Sequence, residues 1–302
     1  MAMMKRIFLF LLLNLAVMLM ISTVLNLLNV KPYLNASGIS YQNLLLFCLI
    51  WGMGGALISL GLSRIMAKWL MKVKLIDPST NDPELKGLLD TVHRLATRAK
   101  LPAMPQVGVY RSNEVNAFAT GPSRARSLVA VSTGLIQRMK NEEVEAILAH
   151  EISHIANGDM VTMTLLQGVV NAFVMFLARI LAYAVSGLSR SRDGHHSTMS
   201  YILFVYLFEV VFMILGSLLI AAYSRFREFR ADAGGAHLSS KTSMISALQT
   251  LRIFQEVQDN QGDNPALAAF KISHQGKKRG WLLLFATHPP LEKRIERLQK
   301  VS

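Results

Sequence analysis

The chain has 302 residues, of which 52% are hydrophobic and only 17% charged, with a net charge of +13 and a single cysteine. Such an apolar balance excludes an ordinary soluble globule and points to membrane spans beside a polar part. The lone Cys48 excludes an internal disulfide framework and a multi-cysteine zinc site, and it lies in an apolar run where it reads as a small buried hydrophobe.

Four long apolar stretches mark the chain. Ile7 to Val30 follows Lys5 and Arg6; its apolar region is too long for a signal peptide and no A-x-A site follows, so it predicts a spanning helix. Asn43 to Leu62 predicts a second span, closed by Arg64, Lys68, Lys72 and Lys74. Thr162 to Leu188 and Tyr201 to Tyr223 predict the third and fourth. Each is long enough to cross a hydrocarbon core of about 30 Å as a helix. The lysine and arginine clusters flanking these spans, including Arg225, Arg227 and Arg230 after the fourth, place both termini and the polar middle in the cytoplasm. Arg190 and Arg192, in the loop between spans three and four, dissent mildly. His195 and His196 in that loop are neighbours that rarely aim at one ion, so the loop reads as solvated. The basic residues sit beside spans and form no recognisable nucleic-acid reader, so no nucleic acid is expected as a partner. The expected organisation is an N-terminal membrane region (1–66), a cytoplasmic part (67–160), a transmembrane hairpin (161–224) and a C-terminal cytoplasmic part (225–302).

Within the first cytoplasmic part, Pro83 to Lys100 carries Leu85, Leu88, Leu89, Val92 and Leu95 at helical spacing. Three short strand-like pieces follow, "QVGVY", "VNAFAT" and "SLVAVS". The next helix is expected to be capped by Asn141 and closed by Gly158, with Glu142 and Glu143 at its positive end. It carries "LAHEISHIANGD". His150 and His154 are four apart, so both imidazoles can aim at one metal from a single helix face. Glu151 sits where it can reach a water at the metal without binding the metal itself. They border the apolar face of Val144, Ile147, Leu148, Ile152 and Ile155, which places them in a cleft.

A catalytic zinc usually takes three protein ligands and leaves one position open. The remaining ligand must come from elsewhere, and "SRFREFRAD" offers Glu228 and Asp232, again four apart on a continuing helix. Glu228 fits as third ligand, and Asp232 as the acceptor that fixes the tautomer of a ligand histidine. By themselves these carboxylates read better as partners of Arg225, Arg227 and Arg230 on a solvated helix; beside the His-Glu-x-x-His run that reading loses, because two independent halves of one site match.

"HEISH" with "SRFREFRAD", the surrounding spans, "NAFATG" before the first motif and "THPPLEKRI" near the C-terminus resemble the membrane-integrated zinc metalloproteases of the HtpX type over essentially the whole chain. The resemblance implies a mainly α, integral membrane protein: four transmembrane helices and a cytoplasmic, zincin-like α+β protease domain with a small β-sheet. It implies a multi-pass endopeptidase of the bacterial inner membrane. One Zn(2+) per chain is expected, held by His150, His154 and Glu228, with Glu151 as base. Misfolded or damaged membrane proteins, or unfolded polypeptides, are the implied substrates and the lipid bilayer the surroundings. Within this reading His288 is a candidate oxyanion donor, weighed equally against a role in ordering the turn before "PPLEKRI". Asn116, Ala117 and Phe118 are expected on an edge strand that takes an extended substrate by backbone hydrogen bonds. A zinc-stabilised membrane scaffold or chaperone is the competing reading, and the sequence leaves the oligomeric state open.

Overall fold

The computed structural model describes residues 34–35, 38–188, 198–261 and 282–300. The predicted span over 7–30 and the His195–His196 pair lie outside the described residues. The protein is mainly helical with a small mixed sheet, and it divides into two compact units, residues 1–59 with 163–220 and residues 60–162 with 221–302.

Among the described residues, three helices are long and apolar enough to cross a membrane, with spans over Tyr41–Leu70, Asp159–Ser186 and Met199–Leu238. They belong to α1 (Tyr41–Leu70), α5 (Asp159–Leu188) and α6 (Thr198–Leu238). In the first unit, a two-residue hairpin of β1 (Leu34–Asn35) and β2 (Gly38–Ile39) leads into α1. Leu44 and Cys48 of α1 are buried against Ala172 of α5. Phe173, Leu203, Tyr206 and Val210 are exposed, as lipid-facing side chains of spanning helices should be. Arg179 of α5 bonds Glu209 of α6 at 2.6 Å and lies over the Phe47 ring, so these two charges among the described residues of this apolar unit are partnered.

The second unit holds the sheet. β3 (Lys74–Leu75), β4 (Gln106–Tyr110), β5 (Ala117–Ser123) and β6 (Arg126–Ser132) line up in the order β3-β4-β6-β5. Only β4 and β6 run parallel. Their return connection carries β5, which comes back antiparallel as the edge strand. The edge strand starts two residues later than "VNAFAT" suggested and runs on to Ser123, with a register shift between Thr120 and Ser123.

Helix α2 (Pro83–Arg98) begins where its sequence says it should. Asp82 accepts from the Glu84 and Leu85 amides, and Pro83 opens the first turn without needing its missing N–H. Its face of Leu88, Leu89, Val92 and Leu95 is buried. After the short α3 (Thr133–Arg138) comes α4 (Asn141–Asn157), the motif helix. The cap position is Lys140 rather than Asn141, because the Glu143 carboxylate reaches back to the Lys140 amide at 3.2 Å and starts the helix one residue earlier than expected. α7 (Lys241–Gln261) and α8 (Leu291–Lys300) complete the layer. The core under the site is one cluster that includes Leu95, Val129, Leu135, Leu148, Ile152, Ile155, Leu248 and Ile295. Each such side chain contributes about 1.5–3 kcal/mol by leaving water. The motif helix is thus anchored by its apolar face and presents its histidine face with little freedom.

Candidate active site

The local half of the site is built by α4 and the turn that ends it. Gly158 sits at φ 70° and ψ 25° and donates to the His154 and Ile155 carbonyls, a left-handed closure that glycine adopts without strain. That turn folds Asp159, the next residue, back onto the helix. Its carboxylate accepts from Nδ1 of His154 at 2.6 Å and pairs on its other oxygen with Arg230. Asp159 is fully buried, so this hydrogen bond is made out of reach of water.

The other half arrives on α6. A Cβ at Gly234 would meet Ser153 Oγ at 2.6 Å, and one at Gly235 would meet the His150 backbone N at 3.0 Å. The two glycines therefore let α6 lie directly against α4. Glu228, about two turns upstream on α6, and Asp232, less than one turn upstream, are delivered to the histidines by that contact. Asp232 Oδ1 lies 2.9 Å from Nδ1 of His150. Glu228 Oε2 lies 3.5 Å from Nε2 of His150, and Oε1 lies 3.3 Å from Nε2 of His154.

The consequence is chemical. Each imidazole has its Nδ1 turned to a carboxylate, which fixes the proton there and leaves Nε2 as the free lone pair. The two Nε2 atoms face one another at 3.1 Å. With Glu228 they form a group whose ligand atoms all lie within 4.8 Å of each other, all three residues buried. Three lone-pair donors converging in a buried pocket repel one another unless a cation or a proton sits between them. Burial by itself would lower the His150 pKa, yet its hydrogen bonds to Asp232 and Glu228 raise it to about 9. In the metal-free chain a proton therefore stands where a cation fits. Around this group the carboxylates of Asp159, Glu228 and Asp232 pair with the guanidinium groups of Arg230, Arg227 and Arg294.

Arg294 is the residue that sequence reasoning passed over. It comes from α8, six residues beyond His288 in the same "THPPLEKRI" run, and holds Asp232 with two bonds, Nε to Oδ2 at 2.8 Å and Nη2 to Oδ1 at 2.6 Å. Asp159 was also passed over. The glycine before it was the available signal, since a left-handed helix stop aims the following side chain back at the last turn. Nothing local in the sequence marks Arg294 apart from its neighbours Lys293 and Arg297.

The remaining candidates fall around this centre. Glu151 accepts from the Ala119 amide of β5 through Oε2 at 2.9 Å. His288 is largely exposed and brings Nδ1 to 2.9 Å from Glu228 Oε2. Asn116 and Ala117 line the cleft beside His150 and Glu151. Phe118 turns its ring the other way, against Tyr110 at 5.7 Å between ring centres. Its backbone is also committed. The Asn116 carbonyl accepts from the Ser132 amide, and two residues on Phe118 pairs with Ala130, so the alternation of an antiparallel ladder points Phe118 inward to β6. The outward-facing backbone groups belong to Ala117 and Ala119.

The fold, the paired histidines and their buried carboxylates can be set beside known proteins. The model of peptidase family M48 matches residues 83–302. The chain belongs to this family. Among curated M48-type relatives, the Protease HtpX homolog of Methylacidiphilum infernorum is 49% identical over 302 residues, covering 99% of both chains. Protease HtpX of Pasteurella multocida is 49% identical over 299 residues, again 99% of both. The Bacillus subtilis homolog is 49% identical over 98% of this chain. The crystal structure of Ste24p from S. mikatae superposes with a TM-score of 0.65 at 16% identity; it covers 98% of the M48 chain, which spans 65% of that longer protein. This last likeness is one of fold. With its family and its apolar helices, the M48 chain is a membrane metallopeptidase.

Proposed function

We propose that the protein is a zinc-dependent endopeptidase of the bacterial inner membrane that hydrolyses misfolded or damaged membrane proteins. One Zn(2+) per chain is held by His150, His154 and Glu228. The observation that carries this reading is the convergence of those three buried donors, each histidine braced by its own carboxylate, next to Glu151 at the head of a cleft.

Bound zinc would supply a Lewis acid that polarises the scissile carbonyl and brings the pKa of water to near 7. Glu151 holds the other end of the chemistry. Its carboxylate, fixed through Oε2 by the Ala119 amide, takes the proton of the attacking water on Oε1 and returns it to the leaving amine. Asp232 and Asp159 keep His150 and His154 in the tautomer that offers Nε2. Arg294 keeps the Asp232 carboxylate from turning. The outward backbone groups of Ala117 and the carbonyl of Ala119, whose amide holds Glu151, take an extended substrate as an added strand, and the Asn116 side chain binds a backbone group of it. His288, exposed and with its Nδ1 2.9 Å from Glu228 Oε2, donates to the developing oxyanion in this reading. The positive-inside pattern supports placing both termini and the site on the cytoplasmic side, with the membrane region and hairpin at 1–66 and 161–224 and the protease parts at 67–160 and 225–302.

The test is proteolysis of an unfolded membrane-protein substrate by the purified chain, with and without a chelator, beside Glu151→Gln. We expect chelator to stop cleavage, and Glu151→Gln to keep its zinc while losing about 10²- to 10⁴-fold in rate. Cleavage by Glu151→Gln at the wild-type rate would overturn the assignment and favour a scaffold.

A further inference from the structure

None of residues 284–288, which lead into α8, is buried, and the side chain of His288 is 64% exposed. Packing therefore does little to fix this turn. Its backbone is fastened instead. Nη1 of Arg225 donates to the carbonyls of Leu284 and Ala286, at 2.8 Å each. Hydrogen bonds from a charged donor are roughly twice as strong as neutral ones. Only Thr287 separates the fastened backbone from His288.

Arg225 stands three residues before Glu228 on α6, about one turn and about 4.5 Å of rise away. Asp232 stands four residues after Glu228 and is gripped by Arg294 of α8. Helix α6 thus holds the chain on both sides of His288, upstream through Arg225 and downstream through Asp232 and Arg294. Glu228 lies between the two grips, and His288 brings its Nδ1 to Glu228 Oε2 there. Arg227 and Arg230, on the same end of α6, pair with Glu228 and Asp159. Arg225 turns to the backbone of the His288 turn instead.

Building on the peptidase reading above, in which His288 donates to the oxyanion, we propose that Arg225 is a positioning residue for the reaction. It acts through His288: by tying the 284–288 turn to the helix that carries Glu228, it sets the imidazole beside the metal centre before the transition state forms.

The gain is preorganisation. A donor already aimed where charge develops needs no rearrangement at the moment of reaction. An imidazole on an unfastened turn samples other places, and a misplacement of about 1 Å can cost about 10²-fold in rate. Because one turn of α6 supplies both the tether and Glu228, His288 is fixed relative to that ligand rather than to a distant wall. Both bonds come from a single nitrogen, so an ammonium can replace them in part, at shorter reach.

The experiment measures kcat, KM and zinc occupancy of the full-length, zinc-loaded chain in detergent on an unfolded membrane-protein substrate. The variants are Arg225→Ala, Arg225→Lys, His288→Ala and the double variant Arg225→Ala/His288→Ala. We expect Arg225→Ala to keep its zinc and its KM and to lose about 10- to 100-fold in kcat. Arg225→Lys should recover part of that loss. In the His288→Ala background, Arg225→Ala should cost less than about twofold, because the group it positions is gone. Wild-type kcat in folded Arg225→Ala overturns the proposal, as do multiplying effects of the two single variants or a loss confined to KM or zinc occupancy. Should Arg225→Ala fail to fold, Arg225→Gln, which keeps a shorter donor, carries the same comparison. Wild-type kcat in His288→Ala overturns the proposal and leaves the peptidase reading standing. Absence of any cleavage by the wild type counts against the peptidase reading itself.

Discussion

His154 and His150 are one helical turn apart and turn their Nε2 atoms toward one another, yet they are held in opposite ways. His154 is braced by Asp159, five residues on, through a glycine turn that α4 makes for itself. His150 is braced by Asp232 and, behind it, Arg294, 82 and 144 residues away in sequence. One brace lies within α4 and the turn that ends it, with Arg230 of α6 on the other oxygen of Asp159. The other exists only when α6 and α8 are packed. The site is thus half local and half global, and Glu228, on α6, belongs to the global half. The two histidines are brought together by α4 alone, as residues four apart on one helix face, whereas Glu228 meets them only where α6 packs against α4.

The comparison can be broken most severely at Glu228. Glu228→Ala leaves both braces intact but removes the donor that α6 contributes. Zinc affinity should fall by more than the roughly 10- to 100-fold typical of an outer hydrogen-bond partner, with peptidase activity lost. A zinc titration read by occupancy and rate checks this, and near-normal occupancy would show that Glu228 is no ligand.

Arg294→Ala attacks the global brace from behind. It leaves Asp232, 2% exposed, without its buried partner. Breaking such a pair costs about 3–5 kcal/mol, so the thermal midpoint of the metal-free chain should drop clearly. Arg294→Lys should restore it only in part, because an ammonium cannot span both carboxylate oxygens. An unchanged midpoint would mean that the pair bears no load in the fold.

Comparing the braces directly sharpens the contrast. Asp232→Asn and Asp159→Asn should each weaken zinc binding about 10- to 100-fold. The Asp159 variant should keep its dependence on α6 and α8, so truncation of the Arg294 side chain should weaken it further. The Asp232 variant should be largely insensitive to the same truncation, since the two act in series. Titrating both double variants measures this coupling, and equal sensitivity would erase the distinction.

The mildest test is pH. With its pKa raised to about 9 in the metal-free chain, His150 carries a proton at pH 7.5 that zinc must displace. Zinc binding at that pH should release about one proton, and apparent affinity should fall about tenfold per pH unit as pH drops below 9. The linked stability has the opposite sense. The raised pKa stabilises the metal-free fold fully below the unfolded value near 6.5, and this contribution is lost as pH rises through 9. Calorimetric titration in buffers of different ionisation heat reads the proton directly; no release at pH 7.5 would contradict the protonated state.

The sequence by itself determined whatever depends on spacing along one helix or strand. The period of His150 and His154, and of Glu228 and Asp232, sets two pairs on two faces wherever those helices go. The cap at Asp82, the stop at Gly158, the apolar stretches of α1, α5 and α6 and the strands "QVGVY" and "SLVAVS" are likewise local, because propensity and periodicity act over a few residues. Which face meets which was left to tertiary structure. Phe118 reads as part of a substrate strand, but the ladder partner of Asn116 decides that its ring turns to Tyr110 while Ala117 and Ala119 face outward. Arg294 is indistinguishable in sequence from its basic neighbours, and only the docking of α8 makes it the partner of Asp232. Gly234 and Gly235 gain their meaning from α4 lying against them, the Ser153 side chain at the first and the His150 backbone at the second. These roles are set by contacts between residues far apart in the chain, and no local pattern records them.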